Sequence, residues 1–477
     1  MNEGIIQYIK DTFVDSFDVK YREIITDKGM ITVIFIDNMC DSKYISEFII
    51  APLSNSRQEI GSLIDIKKGI ISAGSMGVLK TKDDLLTHLL SGDAIIVFSF
   101  IKEVIYCDSK GFSKRSIQTP ITEAQIKGPR EGFNEVLADN ISLIRRRIKD
   151  PNLKFESMMM GEKTHTTVVL SYIKGSAPEK LVEYIRKQLK SIETGAILSI
   201  NYIEEKLKCK HTAFDTIGYT EKPDVIASRL CEGRVAIFVD GTPFVATAPY
   251  FFFENFHTGD DYYSNIYFAN GARMLRWVAF ILATLLTGFY IAIVTHHFSL
   301  IPYMFTFRLA ISRAGVPFPT IIEVLLMNFF FQLSREAGIR LPQPIGQTMS
   351  IVGALILGDA TVGSGLASQT TLIVVAISSI CSFLVPKIYY AIATWNLVTI
   401  LFSSVLGLPG FYIGFCIFVS HIAGLNSCGY PYLFPLGTLR SYKHRDIITT
   451  DYLRNLTNNI FDEGDKEDKG EKDEKNN

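Results

Sequence analysis

The chain has 477 residues, a formal net charge of −1 and 48% hydrophobic residues, and this length suggests about two to four domains. The balanced charge argues against a protein that binds nucleic acid through a basic surface. The charge is also uneven, because residues 277–436 hold eight charged residues in 160, or 5%, against 20% for the whole chain. A soluble domain of that size does not hydrate its surface with so few charges, so this half is predicted to lie in a membrane.

The first 24 residues carry acidic and basic side chains throughout, without an apolar core and a small-residue cleavage site. We therefore expect no secretory signal, and we expect the first half to stay in the cytoplasm. The seven cysteines are scattered and form no CxxC pair. This pattern predicts neither a disulfide framework nor a zinc site.

The soluble half is predicted to contain two related α/β subdomains, with residues 1–125 as the first and residues 126–270 as a linking helix and the second. The first is predicted to contain a strand, two helices and two strands at Met30–Asp37, Ser42–Ile50, Lys82–Leu90, Ala94–Phe100 and Glu103–Asp108. The second is predicted to repeat this order at Thr166–Ile173, Pro178–Lys190, Pro223–Cys231, Val235–Asp240 and Pro243–Ala248. In each copy a helix ends at a glycine, the usual left-handed cap, before a β-branched strand.

Asp240 and Gly241 are predicted to form a tight hairpin turn between the last two strands. The linking segment from Glu131 has helical spacing and ends in three arginines at 145–147. Cations suit the C-terminus of a helix, and a triple arginine is also able to contact anionic lipid.

The sequence contains no GxGxxG, Walker, HExxH or GxSxG motif, so we predict no enzyme, no cofactor and no metal. Asp260 and Asp261 lack the spaced partners that a calcium loop needs. His165, His211 and His257 are isolated in the sequence and are predicted to be structural or exposed.

The membrane domain is predicted to cover residues 271–436 with about six spans. The candidate spans are Trp277–Thr295, Pro319–Leu333, Ile345–Thr361, Leu366–Val385, Ile388–Leu406 and Pro409–Ala423. The second is short and contains Glu323, so its sequence alone also fits an interfacial segment.

The distribution of basic residues favours six spans with both termini inside, because cytoplasmic loops are enriched in lysine and arginine. In this arrangement eight basic residues are cytoplasmic: Arg273, Arg276, Arg335, Arg340, Lys387, Arg440, Lys443 and Arg445. Only Arg308 and Arg313 lie outside, in a segment that is able to fold back into the outer interface.

The segment Ile345–Thr361 is unusually small and polar for a membrane helix. Small residues permit close packing, and polar groups in a membrane must face protein or water. The candidate pore or gating residues are Gln347, Ser350, Gly353, Asp359, Thr361 and Val362. A tightly packed internal helix is an equally good interpretation of the same pattern.

Four charged residues, Glu323, Arg335, Glu336 and Arg340, are predicted to form an interfacial charge cluster, with a gating role as the alternative. Beyond the spans, residues 437–460 are predicted to form a short cytoplasmic helical segment. Residues 461–477 are rich in acids and lysines with almost no apolar side chain, which predicts disorder.

Several segments resemble the A subunits of GerA-type spore germinant receptors: GPREGFNE (128–135), EKPDVIASRLCEGRVAIFVDGTPF (221–244), DDYY (260–263), the run at 317–366 that includes EAGIRLPQPIGQ, and GYPYLFPL (429–436). The resemblance extends from about residue 20 to residue 450 of the sequence. Asn328 and Gln332 stand where relatives are expected to carry acids, and the segment after Pro386 lacks the arginines expected there.

The resemblance implies a multi-pass receptor subunit in the spore inner membrane, with its termini on the core side. It implies a transporter-like B subunit and a lipoprotein C subunit as partners. It further implies a homo-oligomer, a pentamer, that forms an ion channel opened by a nutrient germinant. A paralogous accessory germination channel, a secondary transporter and a non-conducting membrane scaffold are the alternatives.

Overall fold

The computed structural model describes residues 3–55, 70–71, 75–111, 127–340, 358, 360–436, 446–450 and 460–461. Two five-stranded antiparallel sheets form the N-terminal half, and helices form the C-terminal half. This confirms the predicted order of an α/β region with two related subdomains followed by an all-α region.

The first subdomain is built on one sheet with helices packed against it. Its strands are β1 (Val19–Thr26), β2 (Gly29–Ile36), β3 (Met76–Leu79), β4 (Asp93–Phe98) and β5 (Val104–Asp108). Its helices are α1 (Glu3–Thr12), α2 (Ser42–Tyr44), which continues as a π-helix over Ile45–Ile50 into α3 (Ala51–Asn55), and α4 (Lys82–Leu90). All six residues of β4 are buried, as expected for a central strand that is covered on both faces.

The second subdomain repeats this order. Its strands are β6 (Leu153–Met160), β7 (Thr166–Ile173), β8 (Gly218–Thr220), β9 (Val235–Val239) and β10 (Val245–Ala248). Its helices are α5 (Leu137–Arg147), which links the two subdomains, and α6 (Glu179–Lys190), α7 (Asn201–Leu207) and α8 (Pro223–Cys231). The first sheet has the strand order β1-β2-β4-β5-β3 and the second has β6-β7-β9-β10-β8, so the two sheets have the same topology.

The predicted helix caps before β4 and β9 are confirmed. Gly92 and Gly233 both have φ of +89°, a conformation that a side chain with a Cβ atom rarely adopts. Helix α4 also begins as expected, because the Thr81 hydroxyl accepts a hydrogen bond from the Asp84 N–H. These local signals position the central strand of each sheet directly after a helix.

The predicted hairpin turn at Asp240 and Gly241 is present, with φ of +84° at Gly241, but it is not a tight two-residue turn. Strand β9 ends at Val239 and β10 begins at Val245, so five residues connect them. The backbone N–H groups of Asp240 and Gly241 donate to the Thr167 and Glu135 carbonyls at 3.0 and 2.9 Å. The connection therefore widens to contact β7 and the segment that leads into α5.

An arginine of the linking helix joins the two subdomains. Arg145 and Asp18 are both fully buried, and their two hydrogen bonds are 2.9 and 3.0 Å long. The Ser16–Phe155 bridge lies beside this pair and connects the lead-in to β1 with β6. The first of the three arginines at 145–147 is therefore an internal contact between the subdomains.

The C-terminal half contains six principal helices after the short helix α9 (Asp260–Tyr263). They are α10 (Ile266–Ile291), which continues as a π-helix to His296, α11 (Tyr303–Arg313), α12 (Thr320–Arg340), α13 (Gln369–Phe383), α14 (Tyr389–Leu406) and α15 (Leu408–Gly424). Helix α12 is longer than the predicted span Pro319–Leu333 because it continues through the charged residues at its end.

Within the described residues, two stretches are long and apolar enough to cross a membrane by length and composition, namely Ile266–His296 and Pro386–Leu406. Helices α13 and α15 are apolar but shorter. Most of the segment Ile345–Thr361 lies outside the described residues, and so do residues 462–477 of the predicted tail. Residues 446–450, within the predicted helical segment 437–460, form a turn and bends.

Buried polar groups hold α10, α13 and α14 together. The Asn396 amide donates to the Ala283 carbonyl at 2.9 Å and to the Thr287 hydroxyl at 2.6 Å. The Ser378 hydroxyl of α13 reaches the same Ala283 carbonyl at 3.0 Å. Gly288 lies directly against Thr399, where an added Cβ atom would be 3.1 Å from its side chain.

After α15 the chain returns to the second subdomain. The segment Leu425–Leu436, which we call the return segment, begins with a short two-stranded ribbon. The Phe252 N–H donates to the Tyr432 carbonyl at 3.0 Å, and the Tyr250 N–H donates to the Ser427 hydroxyl at 2.9 Å. The end of the last apolar helix and the start of the first therefore lie on the same subdomain.

Candidate functional sites in the helical half and at its junction

Two of the six candidate pore residues lie in the part of the chain that the structure describes. Thr361 is buried and Val362 is half-buried, in the last residues of a helical stretch before the turn that leads to α13. The Thr361 carbonyl accepts hydrogen bonds from the Leu366 N–H at 3.0 Å and from the Ser364 hydroxyl at 3.2 Å. The other four candidates, Gln347, Ser350, Gly353 and Asp359, lie outside the described residues.

The residues that follow this turn contact the carboxylate of Glu323, which is completely buried among helices. One of its oxygens accepts hydrogen bonds from the Ser368 N–H at 2.9 Å and from the Thr371 hydroxyl at 3.0 Å. The other lies 3.5 Å from an Arg313 nitrogen. Because Ser368 is the N-cap of α13, the carboxylate lies where a helix favours negative charge.

Hydroxyl groups surround this carboxylate and extend the network to α10 and α11. The Tyr290 hydroxyl lies 3.1 Å from that of Thr371. The Ser312 hydroxyl lies 3.3 Å from that of Thr370, which in turn lies 3.2 Å from that of Ser368. We call the side chains of Tyr290, Ser312, Arg313, Glu323, Ser368, Thr370 and Thr371 the Glu323 network. It joins α10, α11, α12 and α13 by polar contacts.

The other three members of the predicted charge cluster lie at the far end of α12. Arg340 and Glu336 form an exposed ion pair at 2.6 Å, and Arg335 lies over the ring of Tyr389. Glu323 lies in the first turn of the same helix, about 18 Å from Arg335 at the rise of an α-helix. The structure thus places Glu323 with Arg313 and not with the other three residues.

A second group of charges lies where the soluble half meets the helices. Glu254 is buried between Arg234, at 2.5 Å, and Arg229, at 3.0 Å. Arg234 directly follows the helix-capping Gly233, and Glu254 lies in a short 3₁₀ helix before α9. This pairing fixes the chain that leads from β10 towards the first long helix.

The third group, which we call the junction, joins three segments around the start of α10. Asp261 of α9 accepts hydrogen bonds from Arg276 at 3.0 Å and Arg273 at 3.5 Å. Arg273 is fully buried and also pairs with Asp446 at 2.6 Å, and the Tyr262 hydroxyl donates to Asp446 at 2.8 Å. Of the two acids at 260–261, Asp261 therefore forms ion pairs with Arg273 and Arg276.

Burial changes the protonation of groups at the junction. Burial lowers the pKa of His257 well below its usual value, and the neighbouring Arg273 lowers it further. Burial raises the pKa of the Asp446 carboxyl, although the Arg273 guanidinium opposes this shift. The Tyr262 hydroxyl lies 3.3 Å from the His257 ring, so both titrating groups contact the same tyrosine.

Sequence reasoning did not identify the junction or the Glu323 network. Arg273 and Asp446 are 173 positions apart, and Glu323 and Ser368 are 45 apart. A usable signal was present in the arginine pair just before the first span together with the acidic pair at 260–261. Within the described ranges, no group of histidine, cysteine and acidic residues is arranged to hold a metal ion.

Comparison with known proteins gives the family. Residues 7–458 match the family model described as Bacillus/Clostridium GerA spore germination protein. Spore germination protein KA of Bacillus subtilis (strain 168) is 38% identical over 441 residues, which are 91% of this chain and 81% of that protein. The membrane protein YfkQ of the same organism is 35% identical over 435 residues, 90% of this chain and 85% of that one.

A solved structure covers the soluble half. It is the crystal structure of the N-terminal domain of the A subunit of the Bacillus megaterium spore germinant receptor GerK3, with 32% identity and a TM-score of 0.41. The match covers 52% of this chain and 94% of that one. The family model and the relatives lead to one conclusion: this chain belongs to the GerA family of spore germination proteins.

Proposed function

We propose that this chain is the A subunit of a nutrient-responsive germinant receptor in the spore inner membrane and forms a germinant-gated ion channel. In this proposal several copies, five as the family resemblance implies, assemble around a pore lined by the Ile345–Thr361 segment. A transporter-like B subunit and a lipoprotein C subunit complete the receptor. The soluble subdomains form a cytoplasmic ring below the membrane.

The Glu323 network is the observation that carries the proposal. Ionisable groups within membrane helices are costly and mark ion or substrate pathways. Glu323 has no exposed surface, and it binds the residues that follow Thr361 and Val362, the described end of the candidate pore segment. Polar groups are thus concentrated where the proposed pore-lining segment ends.

The position of the junction supports the proposed topology. Helix α10 begins beside the junction, and the return segment after α15 packs on the same subdomain. If these helices cross a membrane, the total number of crossings is then even. This agrees with the proposed six spans and with both termini on the cytoplasmic side.

The alternatives make different predictions. A secondary transporter is expected to carry internal repeats in its membrane half, whereas the repeated topology here is in the two soluble sheets. A non-conducting scaffold or the paralogous accessory germination channel fits the same fold. Ion release from spores separates these from a germinant-gated channel.

The test replaces Thr361 or Val362 with Ala in spores that carry the complete receptor. We expect a change in the ion release that germinant triggers or in the release that occurs without germinant. The reason is that both side chains lie at the end of the proposed pore segment. Val405→Ala is a matched control, since Val405 is 73% exposed on a different helix. Wild-type release in both variants would reject this segment as the pore.

A further inference from the structure

We propose that Glu323 is a positioning residue that fixes the end of the candidate pore segment by anchoring the start of α13. This inference rests on the proposed channel function and adds the side chain that holds one end of the pore-lining segment. Three features of the site support it: the two hydrogen bonds of one carboxylate oxygen, the two helix ends that meet at the carboxylate, and the weaker link to α11.

The first observation is that Glu323 contacts the chain just beyond the candidate pore segment. The Ser368 N–H and the Thr371 hydroxyl both donate to the same carboxylate oxygen. Ser368 and Thr371 are almost completely buried, and only the short turn after Val362 separates them from the segment. The carboxylate therefore fixes where this turn leaves the candidate pore segment.

The second observation is that two helix N-termini converge on this carboxylate. Glu323 lies in the first turn of α12, and its oxygen receives a backbone N–H from the N-cap of α13. Helix N-termini carry partial positive charge, which favours an anion at this point. The two helix ends thus favour a negative charge here independently of Arg313.

The third observation is that the arginine contact is the weakest of the three. Arg313 lies 3.5 Å from the carboxylate, and its side chain is 28% exposed whereas that of Glu323 is fully buried. Arg313 ends α11, an eleven-residue helix without a buried side chain. The strongest contacts of Glu323 therefore go to α13, and the arginine links the exposed helix to the same point.

The experiment measures potassium efflux from liposomes that contain the purified full-length chain. Glu323→Gln removes the charge while keeping a hydrogen-bond acceptor, and we expect the efflux without germinant to rise about tenfold, equivalent to about 1.4 kcal/mol. Glu323→Asp is expected to restore part of the wild-type behaviour. Thr371→Val keeps the charge but removes one donor, so it should raise efflux in the same direction by a smaller factor.

Two controls separate positioning from general destabilisation. Glu336→Gln removes an acid from the same helix. Within the described part of the chain, Glu336 forms an ion pair only with the exposed Arg340, so the efflux of this variant should equal that of the wild type. The charge-exchanged double variant Arg313→Glu with Glu323→Arg should not recover wild-type efflux, because an arginine cannot accept from Ser368 and Thr371. Recovery in this variant would show that only the ion pair matters and would overturn the inference.

The remaining outcomes distinguish this inference from the proposed function. Wild-type efflux in both Glu323→Gln and Thr371→Val would overturn the positioning role while leaving conduction intact. A wild-type chain that conducts in no condition would instead refute the channel. In that case the melting temperatures of Glu323→Gln, Thr371→Val and the double variant test the contact itself. Shifts of the two single variants that add up in the double variant would reject the contact, whereas non-additive shifts would support it. If Glu323→Gln does not fold, the efflux of Thr371→Val is compared with that of the control Glu336→Gln. Higher efflux in Thr371→Val would support the positioning role, and equal efflux would overturn it.

Discussion

His257 lies buried at the junction among charged side chains from several segments. Arg273 and Arg276 of α10 and Lys387 before α14 all disfavour its protonation, whereas a backbone hydrogen bond with Ile447 favours it. The ring lies 3.3 Å from the Tyr262 hydroxyl and 3.9 Å from an Asp446 carboxylate oxygen. In the folded chain the imidazole is neutral because its pKa is lowered by burial first and by these cations second. In the unfolded chain it titrates with an ordinary pKa of about 6.5.

This difference makes the junction sensitive to acid. As the pH falls through about 6.5 and below, the unfolded state binds a proton that the folded state does not, so the free energy of unfolding decreases. The raised pKa of Asp446 acts in the opposite sense, since the stability it contributes is present at low pH and is lost as pH rises.

We expect His257→Gln to flatten the loss of stability between about pH 7 and pH 5.5, because the differential proton uptake is removed. Thermal unfolding of the full-length chain at several pH values measures this. Asp446→Asn removes the opposing contribution and should make the overall loss of stability on acidification larger. Equal pH slopes for the wild type and His257→Gln would contradict the account of this site.

The buried pair of Arg145 and Asp18 gives a second prediction at the level of single residues. Arg145→Gln leaves a buried carboxylate without its partner, which typically costs about 3–5 kcal/mol. The neighbouring Arg146 has a side chain that is 37% exposed, so Arg146→Gln should cost less than about 1 kcal/mol. Denaturant unfolding followed by circular dichroism compares the two, and similar losses would argue against a special role for the buried pair.

At the level of elements, the two capping glycines occupy equivalent places in the repeat. Each has φ of +89°, and a Cβ atom at Gly92 would also lie 3.0 Å from the Met39 carbonyl. We expect Gly92→Ala and Gly233→Ala each to lower the stability of the chain by about 1–2 kcal/mol. Melting temperatures measure this effect.

Gly271→Ala is the control for both substitutions. Gly271 lies inside α10, and an added Cβ atom there meets no atom within 4 Å. Alanine is favoured over glycine in a helix by about 1 kcal/mol, so this change should be neutral or slightly stabilising. A loss at Gly271 equal to that at the two caps would remove the conformational explanation.

The junction joins α9, α10 and the chain beyond the return segment, so its ion pairs should hold these elements together. Asp446→Asn keeps the shape of the side chain but weakens the 2.6 Å contact with Arg273, so the link between the start of α10 and the chain beyond the return segment should loosen. Hydrogen exchange of the first turns of α10 should become faster. Asp27→Asn, in the exposed turn between β1 and β2, is the control, and unchanged exchange at α10 would show that the junction does not hold the helix.

At the level of the whole molecule, the duplication in the soluble half was predictable from the sequence. Strands and helices with strong periodicity, such as Lys82–Leu90, Thr166–Ile173 and Pro223–Cys231, have the same bounds in the structure as in the prediction. The outer strands β1 and β6 were not predicted, because charged residues interrupt their apolar alternation. Strands β3 and β8 are only four and three residues long, too short to give a pattern.

The contacts that make up the candidate sites were largely beyond the reach of local patterns. The sequence indicated that Glu323 and Thr361 are unusual residues for apolar segments. It did not indicate that a buried carboxylate meets the N-terminus of α13, because this depends on how α12 and α13 pack. Likewise, only the return of the chain after α15 brings Asp446 to Arg273.

Electrical recording of the purified full-length chain in a planar lipid bilayer tests the channel proposal most directly. The account predicts discrete conductance steps from an oligomer, with altered amplitude or open probability in Val362→Ala and unchanged behaviour in Val405→Ala. A chain that assembles in the bilayer and shows no conductance, alone or with its receptor partners and germinant, would contradict it.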